Sequence, residues 1–134
     1  MAYQGYLIRV GNYDIPMKFI KADSYNASLI TQDLDSYRDM DGVLHRTALS
    51  HRVNKIEFQT PSLLKDFEME DFLSNVRQNY ISSNEKKVIA SVYVPELDEY
   101  MTQEMYISDL NFSVYGIFDG VIIYNPLRVA FIAY

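Results

Sequence analysis

The sequence contains no cysteine and no tryptophan, and it has only five glycines and four prolines among 134 residues. Without cysteine there is no disulfide framework, no thiolate nucleophile and no zinc site built on sulfur, so the redox compartment stays open. The glycines are scattered, and none forms a phosphate-binding loop before a helix or flanks a serine at a strand-to-helix turn. These absences exclude zinc fingers and thiol enzymes, and they leave no signature of a nucleotide-binding site or a serine hydrolase.

Long apolar runs and an excess of positive charge are also missing. No apolar run approaches the roughly 20 residues that span a bilayer, and residues 1–10 lack the basic and apolar segments of a secretion signal. Twelve Lys and Arg against 18 Asp and Glu give a formal net charge of -6, the wrong sign for displacing counterions from phosphates. We therefore expect no membrane partner, no nucleic-acid recognition and synthesis in the cytoplasm.

Apolar and aromatic residues are abundant. A composition of 49% apolar and 22% charged residues is typical of a folded globular chain, and the length fits one domain spanning residues 1–134. Twelve tyrosines and seven phenylalanines favour pleated strands over helical bundles.

Alternating apolar and polar residues predict about four strands before and four strands after a single helix. The helix is indicated by apolar residues three and four positions apart: Phe67, Met69, Phe72, Leu73, Val76 and Tyr80. Short turns between strands favour antiparallel neighbours. The sequence therefore predicts a mainly β fold of the α+β class, either an antiparallel β-sandwich or a partly closed barrel, with the helix over one opening or edge.

Two segments of this pattern bear on function. Residues 35–46 predict a long polar hairpin, because Asp41-Gly42 suits a tight turn. Residues 51–60 predict a strand whose alternation breaks once, which we interpret as a bulge. The apolar terminal run, 127–134, is expected to pack in a sheet or against a neighbour, because an exposed one would aggregate.

The residue types that support catalysis or metal binding lack suitable neighbours. His45 and His51 are the only histidines, and no local carboxylate spacing completes a metal site around them. Glu96, Asp98 and Glu99 share one acidic turn, which lacks the calcium-loop pattern and is better explained as a solvated turn. We expect no catalytic residue, no cofactor and no metal, and hence no enzyme.

Charge is unevenly distributed along the chain. Residues 61–104 carry nine acidic and four basic side chains, whereas residues 36–60 carry four Lys or Arg, three acidic side chains and both histidines. Patches of opposite sign fix the register of two copies that meet. The pattern fits contact between copies of the chain, and it fits two solvated faces equally well.

Three segments together resemble one family. They are MAYQGYLIRVGNYDIP (1–16), DLDSYRDMDGVLHR (33–46) and YVPELDEY (93–100), of which 33–46 is the most specific. The chain is similar, over nearly its whole length, to small tail-module structural proteins of long-tailed, siphovirus-type phages and prophages of Gram-positive bacteria. The resemblance implies a virion protein of the phage tail, assembled in the cytoplasm of the bacterial host. It also implies the tail-tube-like fold, which recurs in tube, distal-tail and baseplate hub proteins and forms rings, usually hexameric.

The resemblance implies a surface between subunits. The loop 33–46 would reach a neighbouring subunit or the next ring, and three arginines would bond carboxylates of an adjacent copy. The residues expected at this interface are Asp35, Tyr37, Arg38, Asp39, Gly42, Leu44, His45, Arg46, Arg52, Glu96, Asp98 and Glu99. The expected partners are further copies of the chain in a ring and other phage tail proteins.

Other functions remain open from sequence. A tail-completion or head-to-tail joining protein differs from a distal ring only in location. A carbohydrate-binding module would contact host cell-wall sugars through tyrosine rings, with Tyr93, Tyr100, Tyr106 and Tyr115 as candidates. A carboxylate-dependent hydrolase would use Asp98 or Glu99, and we rank it last.

Overall fold

The computed structural model describes residues 3–134 and shows a mainly β fold with one α-helix among them. The strands are β1 (Ile8–Val10), β2 (Tyr13–Asp14), β3 (Asn26–Ile30), β4 (Asp33–Arg38), β5 (Leu44–Ala48), β6 (Val53–Gln59), β7 (Leu64–Lys65), β8 (Lys87–Val94), β9 (Glu99–Ile107), β10 (Val114–Phe118), β11 (Val121–Tyr124) and β12 (Arg128–Ala133). The helix α1 spans Asp66–Arg77, and a short 3₁₀ helix spans Met17–Phe19.

The strands form three sheets in which every paired neighbour is antiparallel. The largest has seven strands in the order β2-β1-β8-β9-β12-β6-β3, the second has the order β10-β11-β7, and β4 pairs with β5 alone. The seven-stranded sheet has β2 and β3 as its edges, so it does not close into a barrel. The predicted fold class is confirmed in its β content, its antiparallel pairing and its single helix.

The core lies on one face of the seven-stranded sheet. Along β8 the side chains of Val88, Ala90, Val92 and Val94 are buried at every second position, as the alternation of the sequence predicts. The apolar terminal run forms β12, which is paired on both sides, with β9 and with β6. Val129 and Phe131 on one face and Ala130 on the other are all buried, which explains why β12 is apolar almost throughout.

Helix α1 covers this core with one face. The ring of Phe72 lies 5.3 Å from that of Phe19 and 6.3 Å from that of Phe58, between centroids. The stripe predicted from the sequence is wrong at Phe67, which is 60% exposed. At about 100° per residue, Phe67 lies roughly 140° around the helix from Phe72, so it faces away from the sheet.

Strand β6 has no bulge, contrary to the prediction for 51–60. Its register with β3 and β12 is continuous. The alternation breaks because the inward position next to Val53 is occupied by Asn54, which is 1% exposed. The Asn54 amide donates to Gln103 Oε1 at 2.6 Å, so this buried polar side chain is paired on its nitrogen side.

Candidate assembly interface

The longest fully exposed stretch among the described residues contains the hairpin of β4 and β5. Strands β4 and β5 pair only with each other, and every residue from 33 to 52 is exposed. We call residues 33–49 the arm. The hairpin predicted for 35–46 is confirmed, and it contains eight of the predicted interface residues: Asp35, Tyr37, Arg38, Asp39, Gly42, Leu44, His45 and Arg46.

The turn of the arm is organised around Asp39. Its Oδ1 accepts bonds from the backbone amides of Asp41 and Val43, both at 3.0 Å, and its Oδ2 lies 2.8 Å from His45 Nε2. The bond to His45, followed by the backbone amides, holds the pKa of Asp39 below its ordinary value. Gly42 has a φ of +81°, which only glycine adopts without strain.

The strands of the arm are stiffened by their own side chains. The rings of Tyr37 and His45 stack at 4.9 Å with planes 12° apart. Arg38 Nη1 donates to the Gly42 carbonyl at 2.9 Å, and Arg46 Nε donates to Asp33 Oδ1 at 2.7 Å. A hairpin fixed in this way loses less conformational entropy when a partner binds it than a flexible loop would.

Arg52, three residues after the arm, lies beside the acidic turn between β8 and β9. Arg52 Nη1 is 3.6 Å from Glu96 Oε2, and the Arg52 carbonyl accepts a bond from Gln103 Nε2 at 2.9 Å. In the same turn, Asp98 Oδ1 accepts a bond from the Tyr93 hydroxyl at 2.7 Å, and Glu99 begins β9. The structure thus brings basic and acidic members of the predicted interface together within one chain.

These intrachain ion pairs leave the arginines able to change partners. The side chains of Arg46 and Arg52 are each about half exposed, at 46% and 48%. Exposed pairs of this kind contribute about 0–1 kcal/mol. A carboxylate of a second copy, in an interface from which water is excluded, would compete with these intrachain pairs for the arginines. The assignment of these residues to an interface between copies stays a prediction.

Sequence reasoning missed a second exposed surface, the hairpin of β10 and β11. Val114, Tyr115, Ile117 and Phe118 are each more than half exposed. The rings of Tyr115 and Phe118 stack at 6.2 Å, and a side chain at Gly116 would meet the Phe118 ring at 3.1 Å. The available signal was the lack of any charged residue from 110 to 118, a stretch that the alternation alone assigned to an ordinary strand.

The tyrosines proposed for sugar binding are dispersed. Tyr93 and Tyr100 are neighbours, with ring centroids 5.6 Å apart, but both hydroxyls donate to groups of this chain. Tyr106 is six residues further along β9, roughly 20 Å away, and packs on Tyr134. Tyr115 is on another sheet. The four rings do not form one stacking platform.

The described residues offer little to catalysis. Among residues 3–134 no three His, Asp or Glu side chains come close enough together to hold a metal ion. His45 bonds Asp39 and His51 lies 2.8 Å from the Tyr134 carbonyl oxygen. Within the same range no helix is long and apolar enough to cross a membrane.

An open groove of ≈490 Å³ lies beside β3 and β6. Its wall includes Glu57, whose Oε1 lies 3.1 Å from Lys55 Nζ and 2.8 Å from Arg128 Nη2. Hydrogen bonds from Lys55 and then Arg128 hold the pKa of Glu57 below its ordinary value. The carboxylate is therefore held as a paired anion, the opposite of what a general acid needs.

Two solved structures are similar to this chain in fold. One is a chain in the tail of an empty gene transfer agent (GTA) particle, computed with helical refinement and C6 symmetry, at 14% identity and a TM-score of 0.51. The other is a chain in the virion of the native gene transfer agent particle, at 15% identity and a TM-score of 0.51. Each similarity covers 100% of this chain and 94% of the other.

At such low identity, these similarities establish a shared fold. No curated protein matches the sequence. The sequence matches the family of unknown function DUF6711 over residues 1–134. Since the match covers its full length, the chain belongs to the DUF6711 family.

Proposed function

We propose that this chain is a non-enzymatic structural subunit of a phage-like tail, whose copies form a ring, hexameric, near the distal tail or baseplate. The observation that carries the proposal is the arm, a stiff hairpin exposed along its whole length. It belongs to a fold that the chain shares, end to end, with a chain from a gene transfer agent tail. The protein would reside in the virion and contact other tail proteins.

The arm exposes several large apolar side chains to water. Met40 is 104% exposed, and Leu34, Tyr37 and Val43 are each more than half exposed. Burying apolar surface contributes about 25 cal/mol per Å², and exposed apolar groups of this density mark interaction sites. A neighbouring subunit that covers the arm would recover this free energy.

Two arginines of the arm support a head-to-tail contact. The arm carries Arg38 and Arg46 among four aspartates, and Glu96 and Asp98 lie in the turn after β8, followed by Glu99 at the start of β9. A contact between two different patches of the same chain is heterologous, and heterologous contacts close into rings when the rotation permits. Ion pairs between these arginines and the carboxylates of a second copy would fix which patch meets which.

A repeating ring of the tail tube is the second candidate location. The similar chain comes from a tail computed with helical refinement and C6 symmetry, and a helical tail consists of repeated units. This observation supports a tube ring as an alternative to a distal ring. It also supports the hexameric count in the proposal.

The test is assembly of the purified protein. We expect rings by negative-stain microscopy and light scattering at about 0.15 M salt, where charges separated by more than about 8 Å are screened. Arg38→Glu combined with Arg46→Glu should leave a folded monomer, as judged by circular dichroism. The matched control, Lys18→Glu with Arg77→Glu, changes the net charge equally at exposed sites outside the arm and should keep the rings.

Two results would contradict the proposal. One is wild-type protein that stays monomeric at high concentration and is missing from purified particles. The other is an arm variant that forms rings of unchanged size, because the arm would then take no part in the contact.

A further inference from the structure

Outside the arm, two strands of the described residues have an open edge of five residues. β3 is the last strand of the seven-stranded sheet and β10 is the last strand of the three-stranded sheet. Each is five residues long. No strand within residues 3–134 pairs with the outer edge of either one. The backbone amides and carbonyls along such an edge can pair with another strand.

Neither edge is protected by charge, by proline or by being very short. Natural edges are blocked by such features and by β-bulges; the register of β10 against β11 shifts once, between Val114 and Gly116, and its remaining residues pair regularly. Residues 24–32, around β3, and residues 110–118, around β10, contain no charged residue and no proline. By contrast, β4 carries Asp33, Asp35 and Arg38, and the edges at β2 and β7 are only two residues long.

We propose that β10 of one copy pairs along β3 of the next copy, so that the three-stranded sheet of one subunit continues the seven-stranded sheet of its neighbour. Strand addition at a sheet edge is an established mode of protein recognition. The inference rests on the proposed function, because it assumes that copies assemble. The inference places this contact on β10 and β3, which lie outside both the arm and the acidic turn.

A second copy suits these edges better than another partner does. The two edges lie on one chain, match in length and both lack charge, so each copy offers β10 to one neighbour and β3 to the other. This contact is heterologous and repeats around a ring. Pairing of β10 with β10 would be two-fold instead, and would stop at a dimer.

Large apolar side chains along β10 are exposed and can be buried by such a contact. Ile117 is 66% exposed, and the ring of Phe118 lies against Gly116 and stacks with the ring of Tyr115. On β3, Ile30 is 44% exposed. Rigid aromatic side chains lose little rotamer freedom on binding, so their burial contributes strongly to association.

The test blocks one edge at a time with lysine, which has to be desolvated when a strand pairs there. Ser28→Lys with Ile30→Lys blocks β3, and Tyr115→Lys with Ile117→Lys blocks β10. At a concentration where the wild-type protein is fully assembled, we expect each variant alone to lose the ring. The two variants mixed should form a 1:1 heterodimer and nothing larger, because only one intact β10 and one intact β3 remain.

Two controls distinguish loss of edge pairing from an effect of the added charge and from misfolding. Ser83→Lys with Asn84→Lys adds the same charge in an exposed loop and should keep the ring. The single substitutions Ser28→Lys and Ile117→Lys repeat the test with less disturbance of the fold, which circular dichroism monitors.

Four results would overturn the inference. Rings of wild-type size in either blocked variant, or a mixture that forms no heterodimer, would overturn edge pairing and leave the proposed function standing. A β3-blocked variant that dimerises alone would point to pairing of β10 with itself. A wild-type protein that never assembles would overturn the inference and the proposed function together.

Discussion

Tyr25 connects two distant parts of the seven-stranded sheet. It precedes the edge strand β3, and its hydroxyl donates to the carbonyl of Tyr93 on β8 at 2.7 Å. Burial is the main cause that raises the pKa of Tyr25 far above its ordinary value, and the nearby Tyr100 hydroxyl raises it further. The side chain is therefore held neutral in a place where an anion would be expensive.

This raised pKa predicts a loss of stability in alkali. Above pH 10 the unfolded chain loses the Tyr25 proton first, so stability that is fully present below pH 10 falls as the pH rises. Burial also raises the pKa of Tyr13 to about 12, which adds to the fall. We expect Tyr25→Phe to cost about 1 kcal/mol at pH 7, from the lost hydrogen bond, and to make the decline above pH 10 shallower.

Urea unfolding between pH 7 and pH 11 measures both effects. Tyr115→Phe removes an exposed hydroxyl and should follow the wild-type curve. A Tyr25→Phe variant whose stability declines as steeply as that of the wild type would show that the Tyr25 hydroxyl is not the source.

At the scale of elements, helix α1 shows how a sequence stripe differs from a packed face. Phe67 and Phe72 are both apolar and both lie in the predicted stripe, yet only Phe72 is buried. We expect Phe72→Ala to lower the free energy of unfolding by about 3–5 kcal/mol, because it leaves a cavity between Phe19 and Phe58. Phe67→Ala should change it by no more than about 0.5 kcal/mol. Denaturant melts of the two variants compare them directly, and a larger loss for Phe67→Ala than for Phe72→Ala would mean that the helix packs on its other face.

The sequence predicted those elements whose signal is local. The alternation of β8, the Asp-Gly turn of the arm and the spacing in α1 each identify an element without reference to the rest of the chain. Strands β2 and β7 have two residues each, too few to show a period. The sequence assigned Glu99 to one acidic turn with Glu96 and Asp98, but Glu99 begins β9 and pairs with Val94 of β8. Pairing with other strands determines the secondary structure of such segments, and their composition alone does not predict it.

The candidate interface was likewise predictable only where its signal is local. The arm could be found because polar residues around Asp41-Gly42 predict a hairpin that no core requires. The exposed hairpin of β10 and β11 could not be found by alternation, since apolar residues such as Ile117 and Phe118 normally indicate burial. The useful signal there was the lack of charge, which distinguishes an open edge from a protected one.

At the scale of the whole molecule, assembly has to overcome like charge. Each copy carries a formal net charge of -6, so copies in a ring repel one another over long distances. Opposite charges in direct contact are screened much less than charges separated by more than the Debye length, which falls from about 10 Å at 0.1 M salt to about 3 Å at 1 M. Salt therefore weakens the repulsion more than it weakens a desolvated ion pair.

This difference predicts how the charge variants respond to salt. The arm variant (Arg38→Glu, Arg46→Glu) and its control (Lys18→Glu, Arg77→Glu) add equal net charge. At about 0.01 M salt, where the Debye length is about 30 Å, both should assemble less than the wild type. At about 1 M salt, sedimentation velocity should show rings for the control but not for the arm variant, since screening removes repulsion without replacing lost ion pairs. If the arm variant also recovered rings, the arm arginines would act through net charge alone, and the predicted pairing with a neighbour's carboxylates would be wrong.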